Sequence, residues 1–353
     1  MAAKYLILAA ELRQLCAQLH RQGERELPSE TELCLQTGCS RQTVRHALAL
    51  LEEEGLLLRI RGSGTYLADS FPGSGCIAVI VCCEEDYLYP QLLRDIDAVF
   101  RQRDYRIESY FTDNRIEKER EALTRILADP PAGILIEGVK TALPSPNLDL
   151  LARIGRLGIP LVWLHAPHSI PEQSPCVQDD NVGGARLLVR YLLGKGHRDI
   201  AGIFKFDDLQ GHERYEGFMA ELVDAGIPPA DAQISWFGTE ERDSLSSGRL
   251  DWLHHYVHSR LGSATAVVCY NDEIAYPLIQ CLLAAGRRVP EDVAVVSFDN
   301  SHYCYLSPVP VTSLGHERHQ MGSSAAMTLL AMIRGRHTHS VRLPWTLNER
   351  RSG

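Results

Sequence analysis

The chain reads as an α/β protein in two unequal parts: a short N-terminal winged helix-turn-helix, then a large, two-lobed domain of doubly wound parallel sheet. Three observations predict this. Residues 1–68 hold three helix-length segments followed by a hairpin with a Gly-rich tip. Residues 69–75 (Asp69, Ser70, Phe71, Pro72, Gly73, Ser74, Gly75) have the composition of a linker. Residues 76–353 then alternate apolar runs of strand length with amphipathic runs of helix length, the signature of a parallel sheet covered on both faces.

The elements follow in order. From Ala2 to about His20, Leu6, Ala9, Leu12, Leu15, Cys16 and Leu19 recur at helical spacing. Gly23 and Pro28 break that helix. Ser29, with Glu32 three residues on, makes a capping box for a helix from Glu30 to Gln36. Gly38 ends it, and Ser40 caps a helix from Arg41 to about Glu53. Strands Leu56–Ile60 and Thr65–Ala68 flank Arg61, Gly62, Ser63 and Gly64. Beyond the linker, strands are expected at Ile77–Val81, Gly133–Ile136, Pro160–Leu164, Ile200–Phe204, Ala266–Cys269 and Val293–Phe298. Helices are expected at Leu92–Arg101, Leu148–Arg156, Asn181–Leu193, Gly211–Ala225 and Glu273–Ala285. About 270 residues suffice for two such sheets.

Composition bounds the function. The net charge of -9, from 36 Lys and Arg against 45 Asp and Glu, excludes a surface coated with nucleic acid but not a local DNA-binding patch. The ten cysteines include no CxxC pair and several lie in apolar runs, so they read as reduced, mostly buried thiols. No N-terminal signal and no apolar run of ~20 residues is present. A cytoplasmic protein with no membrane partner is expected. No nucleophile elbow, P-loop, metal-spaced His pair or GxGxxG after a strand occurs, so neither an enzyme nor a metal or cofactor site is expected.

In the first part, Arg41, Gln42, Thr43 and Arg45 stand in the opening turns of the second motif helix, where base edges are met. Arginine there can take guanine O6 and N7 together. A small interaction module with solvated arginines would show much the same pattern. The segment Leu27–Ala68 resembles the winged helix-turn-helix of the GntR family in four pieces: LPSE, then SRQTVR, then EGL, then GSGTY. The resemblance implies double-stranded operator DNA as partner. It places Arg41, Gln42, Thr43 and Arg45 at the major groove and neighbouring phosphates. Ser29 and Glu30 stand at a helix mouth able to hold a phosphate, and Arg61, Gly62 and Gly64 in the wing.

In the second part, polar clusters fall at predicted strand ends: 177–184, 204–211 with Arg214, and 270–273 with 298–302. Ligands of open α/β sheets lie there, and such groups suit a polyhydroxylated molecule. Asp180 with Asn181, and Asn271 with Asp272, would equally serve as helix caps. The strings Asp180–Ala201, Arg214–Phe218, Asn271–Ala275 and Val289–Asp299 resemble the LacI/GalR effector domain, which implies a periplasmic-binding-protein-like fold. Ile203–Gly211 and Cys269–Ala275 resemble, more narrowly, the arabinose-operon repressors. The chain departs from the effector pattern in having Glu317 after His316 and Asn300 after Asp299. The resemblance implies Asp180, Lys205, Arg214, Asn271 and Asp299 as ligand-facing, with Tyr89, Glu137 and His302 beside them. It also implies a sugar effector, L-arabinose, and a homodimer that releases operator when the sugar binds. A different sugar, or activation in place of repression, fits the same architecture.

Overall fold

The computed structural model describes residues 4–21, 24–60, 62–68, 74–84, 87–103, 105–168, 174–228 and 230–353. Arg61, Asp86 and residues 69–73 of the expected linker lie outside these.

The head comprises α1 (Lys4–Arg21), α2 (Glu30–Thr37), α3 (Arg41–Glu53), and the antiparallel hairpin β1 (Leu57–Ile60) with β2 (Gly64–Leu67). Leu8, Leu12 and Cys16 of α1 meet Val44, Ala47, Leu48 and Leu51 of α3 in one core, closed by Leu33, Leu56 and Leu67. Ser29 caps α2 through the expected capping box. Gly38 follows α2 at φ 67° with its N–H on the Cys34 carbonyl, a left-handed setting that glycine adopts without strain. The chain can therefore reverse within three residues into α3. The hairpin is broader than expected, because Leu27 N–H donates to Thr65 O and Leu67 N–H to Arg25 O. Residues 25–27 thus line its free edge.

The first lobe contains β3 (Ser74–Val81), α4 (Tyr89–Arg101), β4 (Arg106–Phe111), α5 (Ile116–Ala128), β5 (Pro131–Ile136), α6 (Leu148–Arg156), β6 (Leu161–Leu164) and β7 (Cys176–Asp179). The second contains α7 (Asn181–Gly194), β8 (Ile200–Lys205), α8 (Leu209–Asp224), β9 (Ile234–Phe237), α9 (Thr239–Ser246), α10 (Asp251–Ser259), β10 (Ala266–Cys269), α11 (Asp272–Ala284), β11 (Ala294–Phe298), α12 (Tyr303–Leu306) and β12 (Thr312–Gly315). The chain then returns to the first lobe with α13 (Gln320–Ile333) and β13 (Val341–Leu343), and ends in the second with β14 (Thr346–Asn348).

Each lobe holds a six-stranded sheet, ordered β13-β7-β6-β5-β3-β4 and β14-β12-β11-β10-β8-β9. All pairings are parallel except that of β14 with β12. Helices cover both faces of each sheet, so central strands such as Ala266–Cys269 and Ala294–Phe298 are apolar at nearly every position. The order reverses around β3 and around β8, and ligands of such sheets bind at these switch points. Among the described residues, no helix is long and apolar enough to cross a membrane.

Candidate functional site

Two constellations stand apart. In the head, Ser40 caps α3 by accepting from Thr43 N–H, and its hydroxyl meets the Thr43 hydroxyl at 2.9 Å. Arg41, Gln42 and Arg45 are exposed, while Val44 between them is buried. The helix thus turns one polar face outward over two turns. Arg45 Nε lies 2.8 Å from Glu30, and Arg41 reaches Thr31 at 3.4 Å. The Glu30 carboxylate therefore holds one arginine of α3 in place. The Ser29 N–H is likewise taken, by Glu32 at 2.8 Å. Gly62 and Gly64 form the hairpin tip.

The second constellation is a cavity of about 410 Å3 between the lobes, within the ~300–1,000 Å3 usual for small-molecule clefts. It lies at the carboxyl ends of both sheets. Arg214 of α8 is buried in its floor. The guanidinium donates to Asn181 Oδ1 at 2.9 Å, to the Tyr270 carbonyl and, at 3.4 Å, to Asp299. It packs over the rings of Phe298 at 4.2 Å and Tyr270 at 4.8 Å. Lys205, 5% exposed, lies 2.5 Å from Asp208 and 3.1 Å from Asp207. Burial alone would lower its affinity for a proton, but the two carboxylates raise it above the ordinary lysine value. Gly211 approaches so closely that a Cβ would stand 1.9 Å from the Lys205 carbonyl oxygen. That contact explains the glycine in the 203–211 string.

Across the cavity, Glu137 accepts from Tyr89 OH at 3.0 Å and from Cys82 N–H at 2.9 Å. Asp179 accepts from His316 at 2.7 Å, His165 at 3.1 Å and Gln210 at 3.3 Å. Burial would raise Asp179, but the two histidines hold it well below the usual carboxylate range. Burial would likewise lower His165, but Asp179 lifts it to about 9. Several bonds join the lobes across this space: Tyr87 OH to Asp299 at 2.5 Å, Asn114 to Thr239 at 2.8 Å, and Leu209 N–H to Thr141 at 2.9 Å. Arg115 pairs with Asp243 beside them. The lobes are therefore closed on one another.

The wall brings together Tyr89, Glu137, Lys205, Arg214, Asn271 and Asp299. Asn271 does both things its position allowed: its Oδ1 caps α11 by accepting from Ile274 N–H at 3.2 Å, and it faces the cavity. Asp180 and His302 are not in the wall. Asp180 caps α7, accepting from Gly183 N–H at 3.3 Å. Its neighbour Asp179, the last residue of β7, faces the cavity instead, while Asp180 has left the strand to cap the helix. The chain turns at Asp299 and Asn300, at φ 94° and 47°. Asp299 remains in the wall, while His302 is exposed beside Tyr303. Wall residues that the motifs did not single out as ligand-facing include Asn114, His165, Gln210, Arg242, Glu273 and Trp345, and His316 of the departing effector motif joins them. Gln210 and Glu273 sat inside the polar clusters, whereas Asn114 and Arg242 carry no local signal.

Residues 4–67 match the family described as "Bacterial regulatory proteins, gntR family", and residues 189–353 match the "Periplasmic binding protein-like domain". The arabinose metabolism transcriptional repressor of Geobacillus stearothermophilus is 33% identical over 344 residues, covering 96% of this chain and 93% of that protein. The protein of that name in Halalkalibacterium halodurans is 32% identical over 316 residues, covering 87% and 83%. Among solved structures, the transcriptional regulator CelR–cellobiose complex superposes with a TM-score of 0.68 at 24% identity, covering 89% of this chain and 90% of that one.

Proposed function

Because this chain belongs to the family of transcriptional repressors that join a GntR-type head to a LacI-type, periplasmic-binding-protein-like domain, we propose that it represses arabinose-utilisation genes and leaves its operator when L-arabinose binds. The coarser statement, a DNA-binding and sugar-responsive repressor, belongs to the family as a whole, and such a protein acts in the cytoplasm where its DNA lies. The observation that carries the finer reading is the relationship along nearly the whole chain to proteins named for arabinose metabolism.

The chemistry of the cavity agrees with it. Carboxylates of Glu137, Asp179 and Asp299 alternate with the cations Lys205 and Arg214 around a space bounded by Tyr270, Phe237 and Trp345. Sugar hydroxyls each need a donor and an acceptor, and the apolar face of a sugar ring packs on aromatic rings. Asp179, Glu137, Lys205, Arg214, Asn271 and Asp299 are the ligand contacts in this reading. In the head, Arg41, Gln42, Thr43 and Arg45 face bases and phosphates, and the Gly62–Gly64 tip follows the backbone as a wing. Two heads of a homodimer read two half-sites, and sugar binding holds the lobes in a setting that misplaces them.

A thermal-shift screen of pentoses and hexoses tests the effector, since a ligand of the folded state raises the melting temperature. L-Arabinose alone is expected to give a large shift. A response restricted to a hexose or to another pentose would overturn the arabinose reading.

A further inference from the structure

The chain crosses between the two sheets three times: at Asp179–Asn181 between β7 and α7, at His316–His319 between β12 and α13, and at Pro344–Trp345 between β13 and β14. One side chain touches all three crossings. His316 Nε2 lies 2.7 Å from Asp179 Oδ1, and its Nδ1 lies 2.9 Å from the Pro344 carbonyl oxygen. Its ring stacks on Trp345 at 3.8 Å between centroids and 22° between planes. Both polar partners are oxygen atoms that accept hydrogen bonds. The Asp180 N–H to Leu343 O bond, 3.0 Å, joins the first crossing to the third independently. Asp179 also holds His165 from the first lobe and Gln210 from the second, and both Asp179 and His316 face the cavity. A hinge works through the few residues that absorb the change in backbone angles, and a ring bonded to every strand of the hinge restrains them all at once.

We propose that His316 is a positioning residue that holds the three crossings in one setting and links them, through Asp179, to the contents of the cavity. The link to cavity contents rests on the effector reading above; the clasp itself does not.

The test uses the full chain as wild type, His316→Phe and His316→Gln. Phenylalanine keeps a ring on Trp345 and removes both hydrogen bonds, whereas glutamine carries two N–H donors on one amide. Should the phenylalanine variant fail to fold, His316→Asn, whose amide is too short to span both partners, replaces it. Without sugar, hydrogen–deuterium exchange in His316→Phe is expected to quicken by about ten-fold or more in segments 178–182, 315–319 and 343–347 together, with His316→Gln in between. Quickening confined to 315–319, or none, overturns the clasp. At saturating L-arabinose, small-angle scattering is expected to show that His316→Phe loses more than half of the wild-type change in radius of gyration. A full wild-type change overturns the link. If the wild type binds no L-arabinose while the three segments still respond together, the effector reading falls and the clasp stands.

Discussion

Arg214 shows how one residue carries the cavity. It is 1% exposed, and its charge is compensated by Asp299 within a cage of rings. Truncating one member of a buried ion pair costs about 3–5 kcal/mol, so Arg214→Ala is expected to lower the melting temperature sharply and abolish sugar binding. Arg214→Lys keeps the charge but lacks the planar fork that serves Asn181, Tyr270 and Asp299 together. It is expected to fold and to bind L-arabinose at least about ten-fold more weakly by calorimetry. His165 sets a pH response. Its folded-state value is raised to about 9 from 6.5, so its stabilisation is complete below pH 6.5 and is lost as pH climbs through 9. Stability is expected to fall over that interval by about 3 kcal/mol, and His165→Gln, which cannot titrate, should flatten the dependence of melting temperature on pH across it. The sequence placed Arg214, Lys205 and Asp299 at strand ends by motif. Asp179 and Asp180, one residue apart in a single acidic string, could be told apart only once the end of β7 was known.

At the scale of elements, caps and punctuation were the most legible signals. Ser29 with Glu32, Gly38, Ser40, Asp180 and Asn271 all end or begin helices as their types suggest. Replacing Ser40 by alanine removes the acceptor for Thr43 N–H. It is expected to cost about 1 kcal/mol of head stability in calorimetric unfolding, and to weaken operator binding by loosening the turn that bears Arg41 and Gln42. The elements absent from the sequence reading are β4, α5, β7, β9, α9, α10, α12, β12, α13, β13 and β14. Strand β4 (RIESYF) lies at a sheet edge and carries Arg106 and Glu108, so no apolar run marks it. Strands β13 and β14 are three residues each and gain their stability from neighbours rather than from their own composition. Helix α13 opens with Gln320, Gly322, Ser323 and Ser324. Gly322, Ser323 and Ser324 weaken the local helix signal there, and packing on α4 and the first sheet holds it.

For the molecule as a whole, the proposal couples two sites through one equilibrium. If L-arabinose weakens operator binding by some factor, operator must weaken L-arabinose binding by the same factor, with coupling of roughly 1–3 kcal/mol. Calorimetry with and without operator is expected to return matching factors, and identical sugar affinities in the two conditions would exclude the mechanism. The sequence by itself determined the division into head and sensing domain, the alternation of strands and helices, and the residue types at the strand ends, because these follow from local periodicity, capping chemistry and short motifs. Only the tertiary structure decided that Asp179 rather than Asp180 faces the cavity, that Asn114 and Arg242 join its wall, and that His316 meets all three crossings. Those facts depend on where β7 ends and on contacts between residues more than a hundred positions apart, which no local pattern encodes.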